Sequence, residues 1–256
     1  MAGSTSSEAS AFVDSLRDEA LAHAVCSHPY LRALAEGDVP DVDAAIADFA
    51  RHYAGYSTSF PRFLTAAMSR LEEPAHRAAL LDNLTEESGT YEEDEIETLA
   101  EAGIEAAWYE GLPHPALFRR FAAAAGAEAG APVADEVVAW RELLLSQLAR
   151  CTPACAVGIL GLGTETIVAT MYTHLIEAIE RAGTLHPRDY VFFPLHTLVD
   201  EHHQQVLLDV AAELCVDEAA RRELRQGMLM ALSLRSSFFD WMLARARAMA
   251  PAPEAA

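Results

Sequence analysis

A chain of 256 residues with 39 acidic and 18 basic side chains, a formal net charge of −21, repels nucleic acid and anionic membranes over its general surface. Its partners are therefore expected to be small molecules or proteins. With 52% hydrophobic residues the chain has material for one large helical domain, and nothing in its length requires two.

In chain order, residues 1–7 are serine-rich without an apolar period and read as a flexible tail. Helical periodicity then predicts helices near 8–26, 41–54, 59–70, 74–87, 115–125, 132–148, 155–182, 192–214 and 218–249, separated by Gly, Pro and Asn/Asp signals. No sustained β-alternation appears, so the fold class is all-α, a single domain over 8–249. The acidic run 92–97 reads as a solvated segment, and Asp217 is placed to cap the last helix. Residues 250–256 read as a second flexible tail.

Four cysteines, Cys26, Cys151, Cys155 and Cys215, follow no secreted framework, and no charged-then-apolar leader opens the chain; a cytoplasmic setting is expected. The Cys151/Cys155 spacing is neither that of a zinc knuckle nor of a thioredoxin-type pair, so both are read as structural thiols. The stretch 151–173 is the most apolar in the chain, yet it contains Pro153, three glycines and one carboxylate, and reads as a buried helix rather than a membrane span.

Candidate metal ligands are concentrated near the end. His196, Asp200 and His203 are spaced i, i+4, i+7, which in one continuous helix places them on a single face together with Val199, Val206 and Leu207. Glu201 and His202 face away. Glu165 is the only carboxylate between 151 and 173; a lone acid there is either protonated and hydrogen-bonded or ionised beside a cation. Gly158, Gly161 and Gly163 would let a helix or a substrate approach closely. Glu86 and Glu87 end the helix that starts near Pro74, and either can turn inward. His114 sits at the N-cap of the next amphipathic helix, a position more often on the surface. Together, Glu87, His114, Glu165, His196, Asp200 and His203 supply three carboxylates and three imidazoles. That mixture, without thiolate, suits non-haem iron or manganese better than structural zinc, and it exceeds what one catalytic metal takes from protein.

Four segments, Asn83-Leu-Thr-Glu-Glu-Ser-Gly89, His114-Pro-Ala-Leu-Phe-Arg-Arg-Phe121, Gly158-Ile-Leu-Gly-Leu-Gly-Thr-Glu165 and His196-x3-Asp200-x2-His203, resemble in order the motifs of the haem-oxygenase-like di-iron oxidases. The resemblance covers about residues 49–214. It implies a bundle of about seven or more helices that binds no haem. It also implies two iron ions cycling between Fe2+ and Fe3+, O2 as co-substrate and an external electron donor such as a reductase or ferredoxin. Glu87 would be the first acid, His114 the following histidine and Glu165 the bridging acid, with His196, Asp200 and His203 on the last ligand helix; Glu87, Glu165, His196 and Asp200 would also be the catalytic set.

Two departures stand out. Residues 92–113 intervene between the first acid and His114, reading as a lid-like insertion. No acid occurs between Phe49 and Arg70, so the second iron should have fewer protein ligands and be held more weakly. The leading expectation is N-oxygenation of a small amine, amino acid or nitrogen heterocycle in specialised-metabolite biosynthesis. Oxidative C–C cleavage or desaturation of an amino or fatty acid is the alternative, followed by a metal-free enzyme or an interaction module on the same fold. Tyr53, Tyr56, Tyr172 and Arg235, with Phe239, are the candidate substrate contacts; a homodimer is compatible with all of these readings.

Overall fold

The computed structural model describes residues 2–128, 130–199 and 201–251, the side chains of 2–6 and 201–203 excepted. The described residues form helices and turns without strands. In order they are α1 (Ala2–Leu21), α2 (Pro29–Glu36), α3 (Val42–Ser57), α4 (Phe60–Met68), α5 (Pro74–Glu86), α6 (Glu93–Glu101), α7 (His114–Ala124) and α8 (Asp135–Leu148). Then come α9 (Pro153–Val157), a π-helical segment (Gly158–Glu165), α10 (Thr166–Ala182), α11 (Phe192–Leu198), α12 (Glu201–Leu214) and α13 (Glu218–Arg247).

The stretch Pro153–Ala182 runs through the middle of this bundle, 30 residues long and apolar enough to cross a membrane, with 83% of its most apolar window buried inside the protein. The partner of its first part, α9 and the π-helical segment, is α13. Glycine makes the approach possible: a β-carbon on Gly158 would fall on the Leu224 carbonyl, and one on Gly227 would fall on the Cys155 carbonyl. Two helices thus meet backbone to backbone, closer than side chains would allow. Around this pair, α2 and α11 pack on α10, α3 packs on α7 and α8, and α12 packs on α1 and α5. Nearly all the buried apolar side chains among the described residues form one contiguous core.

Several expectations change. The N-terminal tail is not a tail from residue 2 onward, because α1 starts at Ala2; no proline interrupts the serine-rich stretch, so backbone hydrogen bonding continues through it. Residues 252–256 of the second tail lie outside the described residues. The unanticipated α2 is only eight residues long and is started by Pro29 at its first position and by His28, whose Nδ1 accepts from the Tyr30 N–H. Asp217 caps α13 as expected.

The acidic run forms α6, not a solvated coil. Glu92 and Glu95 close a capping box, and Glu93, Asp94 and Glu95 occupy the first turn, where the helix dipole favours negative charge. The continuous helix expected over 192–214 is broken: α11 ends at Leu198, and Val199 takes φ −120°, ψ −7°. His196 therefore belongs to α11 and His203 to α12, and the shared face of His196, Asp200 and His203 falls on side chains outside the described residues. Asp200 and the His203 side chain lie outside the described residues, as do the side chains of Glu201 and His202.

Candidate metal centre

Glu87 is the C-cap of α5, just before a sharp turn at Ser88-Gly89. Gly89 has φ +92°, and a β-carbon there would strike the Leu112 backbone, so only glycine fits. The Gly89 carbonyl accepts from the Gly111 N–H at 2.9 Å, and the Glu87 carbonyl accepts from the His114 N–H at 3.0 Å. These two bonds tie together the base of the excursion that the sequence shows as an insertion, and bring Glu87 and His114 side by side although 27 residues separate them. The excursion is packed, with Tyr91, Leu99, Ile104 and Tyr109 buried, and α6 rests on α11.

His114, the first residue of α7 rather than its cap, is 4% exposed, contrary to the surface expectation. Its Nδ1 faces Glu87 Oε1 at 3.0 Å and its Nε2 faces the Tyr91 hydroxyl at 2.9 Å. The phenol stays protonated, because burial and then the carboxylates of Glu86 and Glu87 push its pKa upward. Facing a carboxylate, Nδ1 donates and Nε2 accepts from the phenol; a cation held between Glu87 and His114 would take the place of the Nδ1 proton, and the ring would then donate from Nε2 to the phenol oxygen. Sequence reading missed Tyr91; it lies four positions beyond Glu87 across a turn, and no spacing rule marks it.

His196 comes from α11. Its Nδ1–H donates to the Phe192 carbonyl at 2.6 Å. A carbonyl only accepts, so the proton is on Nδ1 and the lone pair is on Nε2. Glu87, His114 and His196, all buried, bring one ligand atom each to within 4.8 Å of one another. Ligand atoms ~2.1 Å from a shared metal lie at most ~4.2 Å apart, so a contraction of a few tenths of an ångström closes the set around one ion. Two imidazoles and a carboxylate are the donor set of non-haem ferrous sites.

Glu165 ends the π-helical segment and lines the same cavity as Glu87 and His196. The wider π turn is visible in its side-chain bonding: Thr164 Oγ1 donates to the Ile159 carbonyl five residues back, at 3.0 Å. Of the two adjacent acids, Glu87 and not Glu86 lines this cavity, although both are buried. Where the sequence lacks an acid between Phe49 and Arg70, the cavity receives Tyr53, Tyr56, Ser57 and Phe60 from α3 and α4.

Tyr172 joins Tyr53 and Tyr56 on the cavity wall, whereas Arg235 stands behind them, 1% exposed. Its Nη1 donates to the Tyr53 hydroxyl at 2.8 Å and its Nη2 to the Tyr56 hydroxyl at 2.7 Å. The Tyr53 and Tyr172 hydroxyls are 3.1 Å apart. Burial works against the guanidinium charge, but the three tyrosine oxygens outweigh it and hold the pKa above its ordinary value. Phe239 is not part of this wall; it stacks on Tyr30 with ring centroids 5.8 Å apart. The four cysteines are free thiols, and none lines the cavity.

The sequence profile of a family described as iron-containing redox enzymes matches residues 47–236. No protein of curated function matches the chain significantly. Among solved structures, a CADD-like protein of unknown function from Nostoc punctiforme PCC 73102 is similar over 94% of this chain and 99% of its own, at 16% identity and a TM-score of 0.73. A TenA homologue from Pseudomonas syringae pv. tomato str. DC3000 is similar over 91% of each chain, at 12% identity and a TM-score of 0.68. A domain of unknown function with a haem-oxygenase-like fold from Shewanella denitrificans OS217 is similar over 91% of this chain and 89% of its own, at 15% identity and a TM-score of 0.66. Identities this low speak to fold alone, and the family rests on the profile. With the helical bundle and the buried Glu87, His114 and His196 in place, the chain belongs to the family of iron-containing redox enzymes, on a haem-oxygenase-like fold.

Proposed function

We propose that the protein is an O2-dependent non-haem di-iron oxygenase that N-oxygenates a small amine, amino acid or nitrogen heterocycle. The observation that carries the iron reading is the convergence of one carboxylate and two imidazoles within 4.8 Å at a buried cavity. Glu87, His114 and His196 would hold one iron. Glu165, on the wall of the same cavity, would bridge to a second, completed by Asp200 and His203 as the family motif implies. The N-oxygenation and the second iron rest on the motif resemblance set out above.

When bound, ferrous iron supplies the electrons for O2 reduction, and a reductase or ferredoxin would restore them. This chain's own residues do the rest. Tyr91 holds the His114 ring in place, and the Phe192 carbonyl fixes both the tautomer and the orientation of His196. Phe60, Val168 and Phe192 line the cavity with apolar surface that excludes water from the reacting atoms. A metal-free reaction through a nucleophilic thiol draws no support from a cavity without cysteine.

Anaerobic Fe2+ titration followed by O2-uptake measurements over a panel of amines and amino acids tests the proposal. Two irons per chain and amine-stimulated O2 uptake, with an N-oxygenated product by mass spectrometry, are the expected results. A chain that takes up one iron refutes the di-iron part, and one that takes up none refutes the whole.

A further inference from the structure

The tyrosine and arginine end of the cavity has a direction that its hydrogen bonds define. A guanidinium can only donate. Arg235 spends one N–H on the Tyr53 oxygen and another on the Tyr56 oxygen, so both phenols act as acceptors toward it and their own protons must go elsewhere. Tyr53 and Tyr172 share one proton between them, whichever is the donor. Three hydroxyls thus hold three protons: one is used inside the cluster, one stays on the Tyr53–Tyr172 pair, and that of Tyr56 lies beside Thr164 on the cavity wall, where a stronger acceptor can draw it.

The charge behind them is unusual. Arg235 is 1% exposed, and among the described residues no carboxylate forms a salt bridge with it. Its Nε is buried without a hydrogen-bond partner among the described residues. The aromatic faces of Tyr56, Trp140 and Tyr53, at 4.8, 5.5 and 6.0 Å from its Cζ, supply cation–π attraction but no negative charge. Phenol oxygens and ring faces hold the charge, and an anion is the partner type they do not supply. The carboxylates that line the same cavity, Glu87 and Glu165, are the ones the proposed metal centre takes.

We infer that this end of the cavity is a carboxylate subsite: the Tyr53–Tyr172 pair and Tyr56 offer one O–H each to the two oxygens of a substrate carboxylate, with Arg235 behind them as the balancing charge. The inference rests on the proposed oxygenase reading for its metal end and narrows the substrate to a small acid, such as an amino acid, whose reacting atom lies toward Glu87 and His196. Arg235 is a positioning residue here, since the tyrosines make the contact.

Butanoate and its neutral isostere butanamide are the probes, measured by calorimetry on protein loaded with Fe2+ under nitrogen. The acid is expected to bind at least about tenfold more tightly than the amide, the difference that hydrogen bonds to a charged group supply. Tyr53→Phe/Tyr56→Phe, which keeps both rings, should abolish that preference. Should the double variant fail to fold, each single variant and Tyr172→Phe, which leaves both Arg235 bonds intact, should reduce the ratio severalfold. A preference that survives these changes shows that iron or another group holds the carboxylate and overturns the inference; so does equal binding, or no binding, of acid and amide. Iron content of the same samples separates the two readings: acid preference in a chain that takes up no iron keeps the subsite and refutes the metal centre.

Discussion

The two ends of the cavity are built on opposite plans. At one end Glu87, Glu165, His114 and His196 bring electron-pair donors together; at the other Arg235 and three tyrosines bring protons to give away. Each end is suited to what the other lacks, a cation at the first and an anion at the second. With a cation at the first and an anion at the second, as proposed, a bound molecule would be oriented before any chemistry. The two ends also differ in how they are held. The tyrosines and Arg235 sit inside long, uninterrupted helices, α3, α10 and α13, whereas Glu87, His114 and Glu165 stand at helix ends or in the π-helical segment. Helix ends leave backbone groups for tight turns to use, and that lets ligands from distant parts of the chain converge.

The strongest test of this contrast is removal of an acid at the metal end. Glu87→Ala and Glu165→Ala should each abolish O2 uptake and lower iron content well below that of the parent, with the helical circular dichroism unchanged. If either variant holds iron as tightly as the parent, the acceptor end is not a metal site. Next in size is Tyr91→Phe, which keeps the ring and removes the oxygen facing His114 Nε2: iron affinity should fall about 10- to 100-fold, read by anaerobic titration against a chelator. A third change sharpens the independence of the two ends. Arg235→Met leaves two buried phenols without their donor and should lower unfolding stability by about 2–3 kcal/mol in urea titrations, while iron stoichiometry stays the same. Loss of iron in that variant would show that the ends are coupled. The smallest effect belongs to Glu92→Ala, which opens the capping box of α6 and should cost about 1 kcal/mol or less without altering iron affinity.

How much of this was legible in the sequence differs residue by residue. Glu165 stood out because it is a lone acid in an apolar run, a conflict that only a partner can resolve. The close approach at Gly158 was legible for a similar reason, since glycine weakens a helix interior unless something needs the space. The break at Val199 carries no glycine or proline, so periodicity ran straight through it. Glu86 and Glu87 could not be told apart, because adjacent residues at a helix end differ in direction only once the turn after them is known. The tyrosine wall was anticipated as a set of candidates, but the order within it, with Arg235 behind and the phenols in front, is a matter of packing between α3 and α13 that no local pattern encodes.

The backbone bonds that join Glu87 to His114 and Gly89 to Gly111 make the segment between them a closed excursion, with Tyr91 at its start as the part that reaches the site. Its two ends leave and re-enter the bundle at neighbouring points, so its length has no leverage on where the ligands stand, and the entropic cost of a longer loop rises only with the logarithm of its size. In this architecture the part of the outer wall that follows Tyr91 can change length while Glu87 and His114 keep their register.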